Sequence, residues 1–468
     1  LYELNDAIRL IHKPPIDAPL DWLSAGVNPG QSRLAFEELL AHRLCMRRFK
    51  NDSENQLAPQ FDKDNSLATG FFENLPFELT AAQQRVRSEI VEDLARACPM
   101  LRLLQGDVGS GKTIVAAFAA IRAIEHGCQT AVMAPTELLA EQHQLNFQQW
   151  LDPLGIRVAL LTGQMTAKAQ REVLADIESG EVQVVIGTHA LFQDKVVFHK
   201  LALVIIDEQH RFGVHQRMAL QNKGAFPHQL VMTATPIPRT LTLTIYGDLD
   251  VSILDERPAG RGEVVTAVRK KPKVSDITKF IQDQLQQGRQ AYLVYPLVEE
   301  SEALDAAAAT VEFGKWKKRL SKHEVKLLHG KMPPEEKDAV MTSFRDGDTD
   351  ALIATTVVEV GVDVPNANIM VIQNAERFGL AQLHQLRGRI GRGEHKSYCI
   401  LITDGKSLEA MEKLQVLAET SDGFKIAEAD LRLRGPGDVL GTAQSGLADL
   451  KFVDYLADVE LIREARAL

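Results

Sequence analysis

The sequence predicts an α/β protein with two parallel-sheet domains in tandem and helical chain before and after them. Three observations lead there. Short, unbroken apolar runs alternate with amphipathic stretches, the pattern of strands covered by helices on both faces. The alternation occurs twice, and a Pro- and Gly-punctuated segment, DERPAGRGEVV at 255–265, separates the two series. The length of 468 residues is about three domains' worth of chain.

Taken in order, residues 1–50 read as helical, with helical spacing clearest in LAFEELLAHRLCMRRF at 34–49. Residues 51–70 are polar and turn-rich and read as a linker. The first series has strands expected at 101–105, 130–135, 158–163, 182–188, 202–208 and 230–235, with helices at 112–126, 137–150 and 166–179. The second has strands at 291–297, 325–330, 351–356, 369–374 and 398–403, with helices at 301–320 and 333–345. The expected division is a connector at 1–70, a first domain at 71–258, a second at 259–404 and a helical segment at 405–468.

Apolar residues make up 45% and charged residues 25%, which excludes wholesale disorder. The 53 Lys and Arg are outnumbered by 63 Asp and Glu, a net charge of −10. A blanket basic footprint is absent, so a polyanionic partner has to be held by local basic strips. Four cysteines without a CxxC pair argue against a disulfide framework or zinc cluster and fit a reducing cytoplasm. No apolar run reaches the roughly 18 residues of a membrane span, and no signal-peptide pattern opens the chain. The first residue is Leu1 rather than Met, which reads as a piece of a longer protein.

The sharpest motif is GDVGSGKT at 106–113, which fits G-x-x-x-x-G-K-[ST] between an expected strand and an expected helix. In that setting the backbone N–H groups of Gly106, Asp107, Val108, Gly109, Ser110 and Gly111 wrap phosphates at a helix N-terminus, where the dipole favours anions. Lys112 then reaches the β- and γ-phosphates of ATP, and Thr113 ligates Mg²⁺. About 95 residues on, VIIDEQH at 204–210 ends an apolar strand in two acids. Asp207 suits Mg²⁺, and Glu208 suits deprotonation of an attacking water. Phosphoryl transfer also needs positive charge at the transition state, and QLRGRIGRG at 385–393 offers Arg387, Arg389 and Arg392 between glycines. These arginines belong to the second series, which puts the nucleotide in the cleft between domains.

PFELTAAQ (76–83), GDVGSGKT, APTELLAEQH (134–143), GTHAL (187–191), DEQH (207–210), TATPIPRT (233–240), TTVVEVGVDVPNA (355–367) and QLRGRIGRG together resemble the ordered motifs of superfamily 2 helicases. The resemblance implies two RecA-like domains and ATP-driven work on nucleic acid. It implies that Thr80 and Gln83 bind the base and that Asp363 lies near the ribose. It further implies that Arg389 and Arg392 are arginine fingers, and that Gln209, His210, Thr233 and Thr235 couple hydrolysis to movement. Within the superfamily, DEQHRFGVHQR (207–217), TATPIPRTLTLT (233–244), PLVEESEALD (296–305), HGKM (329–332) and GFKIAEADLRLRGPGDVLGTAQSG (423–446) are most similar to the RecG family.

That likeness implies a helical hairpin near the C-terminus that couples hydrolysis to movement on double-stranded DNA, through Arg434 and Gln444. A further arginine of the hairpin falls where this chain has Lys413, which keeps the charge but not the planar fork. The segment around IHKPP (11–15) resembles the piece that joins the family's wedge domain to its motor, and the wedge itself is not in this chain. The implied activity is remodelling of stalled forks and branched recombination intermediates in DNA repair, by fork reversal and Holliday junction branch migration. The implied partners are branched and double-stranded DNA and single-strand DNA-binding protein, acting on a monomer at the bacterial nucleoid with no membrane role. Two alternatives stand beside it: the motor of a transcription-repair coupling factor, and a nucleotide-gated DNA-binding switch without turnover.

Phe71, Phe72 and Phe77 read as packing against the first domain rather than as a base-stacking platform. KWKKRLSKH at 315–323 reads as solvated surface. Thr136 opens a helix whose first amides can meet a DNA phosphate. His210, His329 and His384 read as isolated, without metal-ligand spacing.

Overall fold

The computed structural model describes residues 2–23, 28–61, 66–208, 226–234, 249–256, 258, 262–270, 274–296, 302–355, 364–393, 395–434, 450–454 and 457–467. Two parallel sheets organise it. The first has strands β1 (Leu101–Gly106), β2 (Gln129–Met133), β3 (Val158–Leu161), β4 (Val184–Gly187), β5 (Leu201–Asp207), β6 (His228–Thr233) and β7 (Asp250–Leu254). Their order across the sheet is β3-β4-β2-β5-β6-β1-β7. The second has β8 (Val264–Lys270), β9 (Gln290–Val294), β10 (Val325–Leu328), β11 (Ala351–Ala354), β12 (Ala367–Ile372) and β13 (Ser397–Thr403), in the order β10-β11-β9-β12-β13-β8.

The strands foreseen from apolar runs are β1 to β6 and β9 to β13. Every residue of β5 is buried, as a parallel strand covered on both faces requires. β7 and β8 were not foreseen, for a physical reason. Each is an edge strand whose apolar run is interrupted, by Asp250 and Ser252 in β7 and by Thr266 and Arg269 in β8, whereas the edge strands β3 and β10 stay apolar enough to be read. Two crossover helices of the first sheet matter most below, Lys112–Glu125 after β1 and Glu137–Leu151 after β2. The second of these reaches out of its own half, for Leu138 packs in the apolar core of the second sheet with Met341, Leu383 and Leu386.

The polar stretch at 51–70, expected as a linker, is tied down along much of its length. The helix Pro29–Glu54 runs into it, and the helix Ser66–Glu73 begins within it. Between them the Ala58 and Phe61 amides donate to Ala97 O and Leu94 O, both at 2.9 Å. Phe61 is fully buried, with its ring 5.1 Å from that of His126 and 5.2 Å from that of His228. One aromatic anchor in a polar run outweighs the composition around it.

The long helix Pro29–Glu54 then acts as a strap. Its Ala35 and Leu39 pack with Leu431, Val453, Ile462 and Ala465 from the far end of the chain. The Glu38 carboxylate accepts from the Lys451 and Phe452 amides at 2.7 and 2.8 Å. Toward its other end, Lys50 Nζ meets Asp250 Oδ1 of β7 at 2.9 Å. After β13, the helices Leu408–Glu419 and Gly423–Arg434 follow each other across a three-residue connection and pack together.

His228 gives this arrangement a pH dependence. Its Nδ1 accepts from the Met100 amide at 2.9 Å, so Nε2 carries the proton and donates to Pro59 O at 2.7 Å. Burial holds the imidazole below its ordinary value of 6.5. The unfolded chain takes up a proton that the folded ring resists, so this stability is complete above 6.5 and lost as pH falls through it. Denaturant midpoints should drop on acidification, and His228→Leu should flatten that slope. At neutral pH the same change should cost about 1–3 kcal/mol through two unpaired backbone groups. An unchanged slope in the variant would contradict the assignment.

Candidate active site

The C-terminal ends of β1, β5 and β6 meet where the first sheet's chain order reverses, the place where open parallel sheets bind ligands. β1 runs into a loop in which Gly109 and Gly111 have φ of +74° and +86°, a left-handed backbone that favours glycine. At Gly106 a Cβ would stand 2.9 Å from Leu254 Cβ, so the loop can turn this close to β7 only without a side chain. Gly111 then starts the helix Lys112–Glu125, whose first N–H groups face the loop. Lys112 Nζ folds back to donate to Gly106 O at 2.8 Å and Asp107 O at 3.0 Å. Burial lowers its affinity for a proton, against the pull of Glu208, Asp207 and Asp107.

Thr80 and Gln83 brace this loop. They form a reciprocal capping box at the start of the helix Ala81–Leu94, and Gln83 Nε2 donates to Ser110 O at 3.0 Å. The buried Gln83 is thus committed to the backbone of the phosphate loop.

β5 delivers Asp207 and Glu208 to the same place. Burial opposes ionisation of Asp207, but hydrogen bonding and charge from His143 and the charge of Lys112 outweigh it and hold the carboxyl below its usual range. Glu208 goes the other way, because burial and the neighbouring Asp207 charge raise its pKa against the pull of Lys112 and Arg389. Its φ of +54° is strained for a residue with a side chain, and strain of this kind concentrates at functional sites. The Ala234 amide, one residue past Thr233 at the end of β6, donates to the Glu208 carboxylate.

The second half completes the site. The helix Leu380–Arg387 ends at Gly388, where a Cβ would stand 2.9 Å from Val108 Cβ of the phosphate loop. Arg389 and Arg392 follow and line one cleft with Lys112, Thr113, Asp207 and Glu208. Its volume is about 470 Å³, within the range of small-molecule sites. Ser110 Oγ in the phosphate loop and His143 Nδ1 at the cleft are buried without a hydrogen-bond partner among the described residues. Glycine-lined amides, a buried lysine, two acids of opposite tendency and two arginines from across the cleft make a donor set that fits a nucleoside triphosphate and its cation.

Several expected residues are used otherwise or lie elsewhere. Arg387 turns away from the cleft to donate to Leu417 O at 2.7 Å and Thr420 O at 2.9 Å. Lys413 Nζ donates to Glu376 O and Phe378 O, both at 2.7 Å, so an ammonium ties down the chain that leads into Leu380–Arg387. Phe71 is buried and Phe72 half-buried against the first core, whereas Phe77, also expected to pack, is 46% exposed and lines the cleft. Thr136 caps the helix Glu137–Leu151 as expected. Gln209, His210, Thr235, Asp363 and Gln444 lie outside the described residues, as does the side chain of Arg434.

Two residues escaped the sequence reading. His143 places Nε2 2.8 Å from Asp207 Oδ2, and its signal was the helical spacing from Thr136 that ends the motif APTELLAEQH. His384, read as isolated, meets Asp107 Oδ1 through Nε2 at 2.8 Å across the two halves, a pairing invisible to local spacing.

Residues 80–244 match the DEAD/DEAH box helicase family and residues 272–394 the helicase conserved C-terminal domain. Residues 420–468 match the C-terminal part of domain 3 of the ATP-dependent DNA helicase RecG. The ATP-dependent DNA helicase RecG of Haemophilus influenzae is 50% identical over 467 residues, which cover 98% of this chain and 67% of that protein. The protein of the same description from Escherichia coli is 52% identical over 471 residues, covering 99% of this chain and 68% of that one. A solved structure of RecG bound to a three-way DNA junction matches with a TM-score of 0.78 at 44% identity, over 92% of this chain and 57% of that one. The chain therefore spans about two thirds of the length of these curated relatives.

The geometry makes two demands on hydrolysis. If Glu208 takes the proton from water, its raised pKa moves the acid limb of the turnover–pH profile above the ordinary carboxylate value of 4.5. An acid limb at or below that value would remove Glu208 from the role. Gly388→Ala should push the arginines off the phosphate loop and cut ATP turnover by about tenfold or more, because small misplacements are costly in such sites. Steady-state turnover equal to the unmodified chain would contradict the close approach.

Proposed function

The chain belongs to the RecG family of ATP-dependent DNA helicases, and on that premise we propose that it is the motor of a protein that remodels branched DNA. Stalled replication forks and Holliday junctions are its substrates, and fork reversal and branch migration on double-stranded DNA its reactions. The observation that carries the reading is the convergence of Lys112, Asp207 and Glu208 from one half with Arg389 and Arg392 from the other on a single cleft.

The chemistry follows from that placement. Lys112 leaves its loop carbonyls for the β- and γ-phosphates, and Glu208 receives the proton of the attacking water. Arg389 and Arg392 stabilise charge that develops on the transferred group, so turnover requires the two halves to be together. Mg²⁺, when bound, would screen the phosphate charge, and Asp207 and Thr113 are the residues that would hold it. Thr233, Thr235, Gln209 and His210 are proposed to pass the change onward, and the Ala234–Glu208 hydrogen bond supports a link between the end of β6 and the base. Arg434 and Gln444 are proposed to couple hydrolysis to movement on DNA, with Lys413 serving that coupling by holding the helix Leu408–Glu419 to Glu376 and Phe378. The domain limits at 70, 258 and 404, a monomeric state, contact with single-strand DNA-binding protein and a place at the cytoplasmic nucleoid belong to the same proposal. No helix among the described residues is long and apolar enough to cross a membrane.

A net charge of −10 means that DNA is held along local strips through phosphate contacts, so affinity should fall steeply with salt and carry little sequence preference. The match of 420–468 to a RecG domain speaks against a coupling-factor motor, and the full hydrolytic set speaks against a switch without turnover.

ATP turnover measured with linear, forked and four-way DNA tests the reading, and branched DNA should stimulate it most. Lys112→Ala should abolish turnover. Arg389→Ala should lower it by about 10³-fold or more with ATP affinity retained. A folded protein with no DNA-stimulated turnover would overturn the proposal.

A further inference from the structure

The helix Leu380–Arg387 carries two side chains that the catalytic reading does not use. His384 Nδ1 lies 2.9 Å from Arg387 Nη2, while its Nε2 faces Asp107 Oδ1 at 2.8 Å. A guanidinium can only donate, so Nδ1 accepts. Nε2 therefore carries the proton and donates to the carboxylate, and the ring is neutral. Arg387 Nη1 carries the chain of contacts on to Leu417 O and Thr420 O, at the end of the helix Leu408–Glu419 and in the connection to Gly423–Arg434. The result is an unbroken series of carboxylate, imidazole, guanidinium and backbone carbonyls. Both His384 and Arg387 are buried, where charge-assisted hydrogen bonds hold geometry tightly.

The two ends of this series are informative. Asp107 offers its carbonyl to Lys112 Nζ at 3.0 Å and its carboxylate to His384. Whatever draws the lysine off that carbonyl acts on the residue that aims the carboxylate. At the far end, the helix Leu380–Arg387 is held to both following helices. The Leu380 amide donates to Asp430 Oδ1 at 3.3 Å, and Lys413 ties Leu408–Glu419 to Glu376 and Phe378. A shift of the helix is thereby shared with the whole pair.

We propose that Asp107–His384–Arg387 is a positioning relay that reports the state of the phosphate loop to the helices 408–434, by a route separate from the arginine fingers. His384 is a positioning residue, not a catalytic one. The inference rests on the motor reading above and adds the path by which the loop governs the DNA-side helices.

The test uses the full-length protein and a non-hydrolysable ATP analogue, read by amide hydrogen exchange and by ATP consumed per base pair of junction displaced. His384→Asn keeps an acceptor near the Nδ1 position but is too short to reach Asp107. Arg387→Lys cuts the relay at its other end.

In the unmodified protein the analogue should protect 106–113 and alter exchange at 417–423. His384→Asn and Arg387→Lys should keep the first effect, shrink the second by about tenfold, and raise ATP consumed per base pair by a similar factor. The relay is overturned if His384→Asn leaves the analogue-induced change at 417–423 intact. It is equally overturned if the variant merely raises exchange there to the same extent with and without the analogue, the mark of a fixed brace. Absence of protection at 106–113 in the unmodified protein would instead sink the motor reading, and the relay with it.

Discussion

Everything chemical in this chain depends on how closely the helix Leu380–Arg387 can approach the phosphate loop. The approach is set where Gly388 meets Val108, a contact that leaves no room for a Cβ. Because that contact is tight, Arg389 and Arg392 reach a cleft whose other walls belong to the first sheet. Leu138 supports it from the opposite direction by burying itself in the second core. Two separately folded sheets are thus pressed into one site by a missing side chain, a hydrogen bond from His384 and one leucine.

Within the cleft the charges are arranged so that few of them are at ease. Lys112 is buried and spends its donors on loop carbonyls, Asp207 is held ionised beside His143, and Glu208 is pushed toward protonation. Two adjacent acids with opposed tendencies allow one to serve a cation and the other a proton. The buried setting strengthens each of these interactions and makes each costly to leave unmet, which is why ligand charge is the natural complement of the site.

Much of this was legible in the sequence, and the limits have physical causes. The phosphate loop, the acid pair and the arginine run announce themselves because backbone geometry fixes their spacing, and β5 because a buried parallel strand is continuously apolar up to its terminal acid. β7 and β8 did not, since Asp250 and Ser252 in one and Thr266 and Arg269 in the other break up their apolar runs. Nor did the packing of 51–70, where Phe61 alone supplies the anchor. His143, His384 and the turning away of Arg387 depend on residues 64, 277 and 30 positions distant, and no local pattern encodes such a meeting. Reading Phe77 as packing failed because an aromatic beside a cleft looks the same in sequence as one in a core.

The central claim is that the nucleotide is bound between the two halves and not by the first alone. Amide exchange on the unmodified protein, with and without a non-hydrolysable ATP analogue, tests it directly. The account predicts protection of 106–113 together with protection of 385–393. Protection confined to 106–113, with 385–393 exchanging as in the free protein, would contradict it.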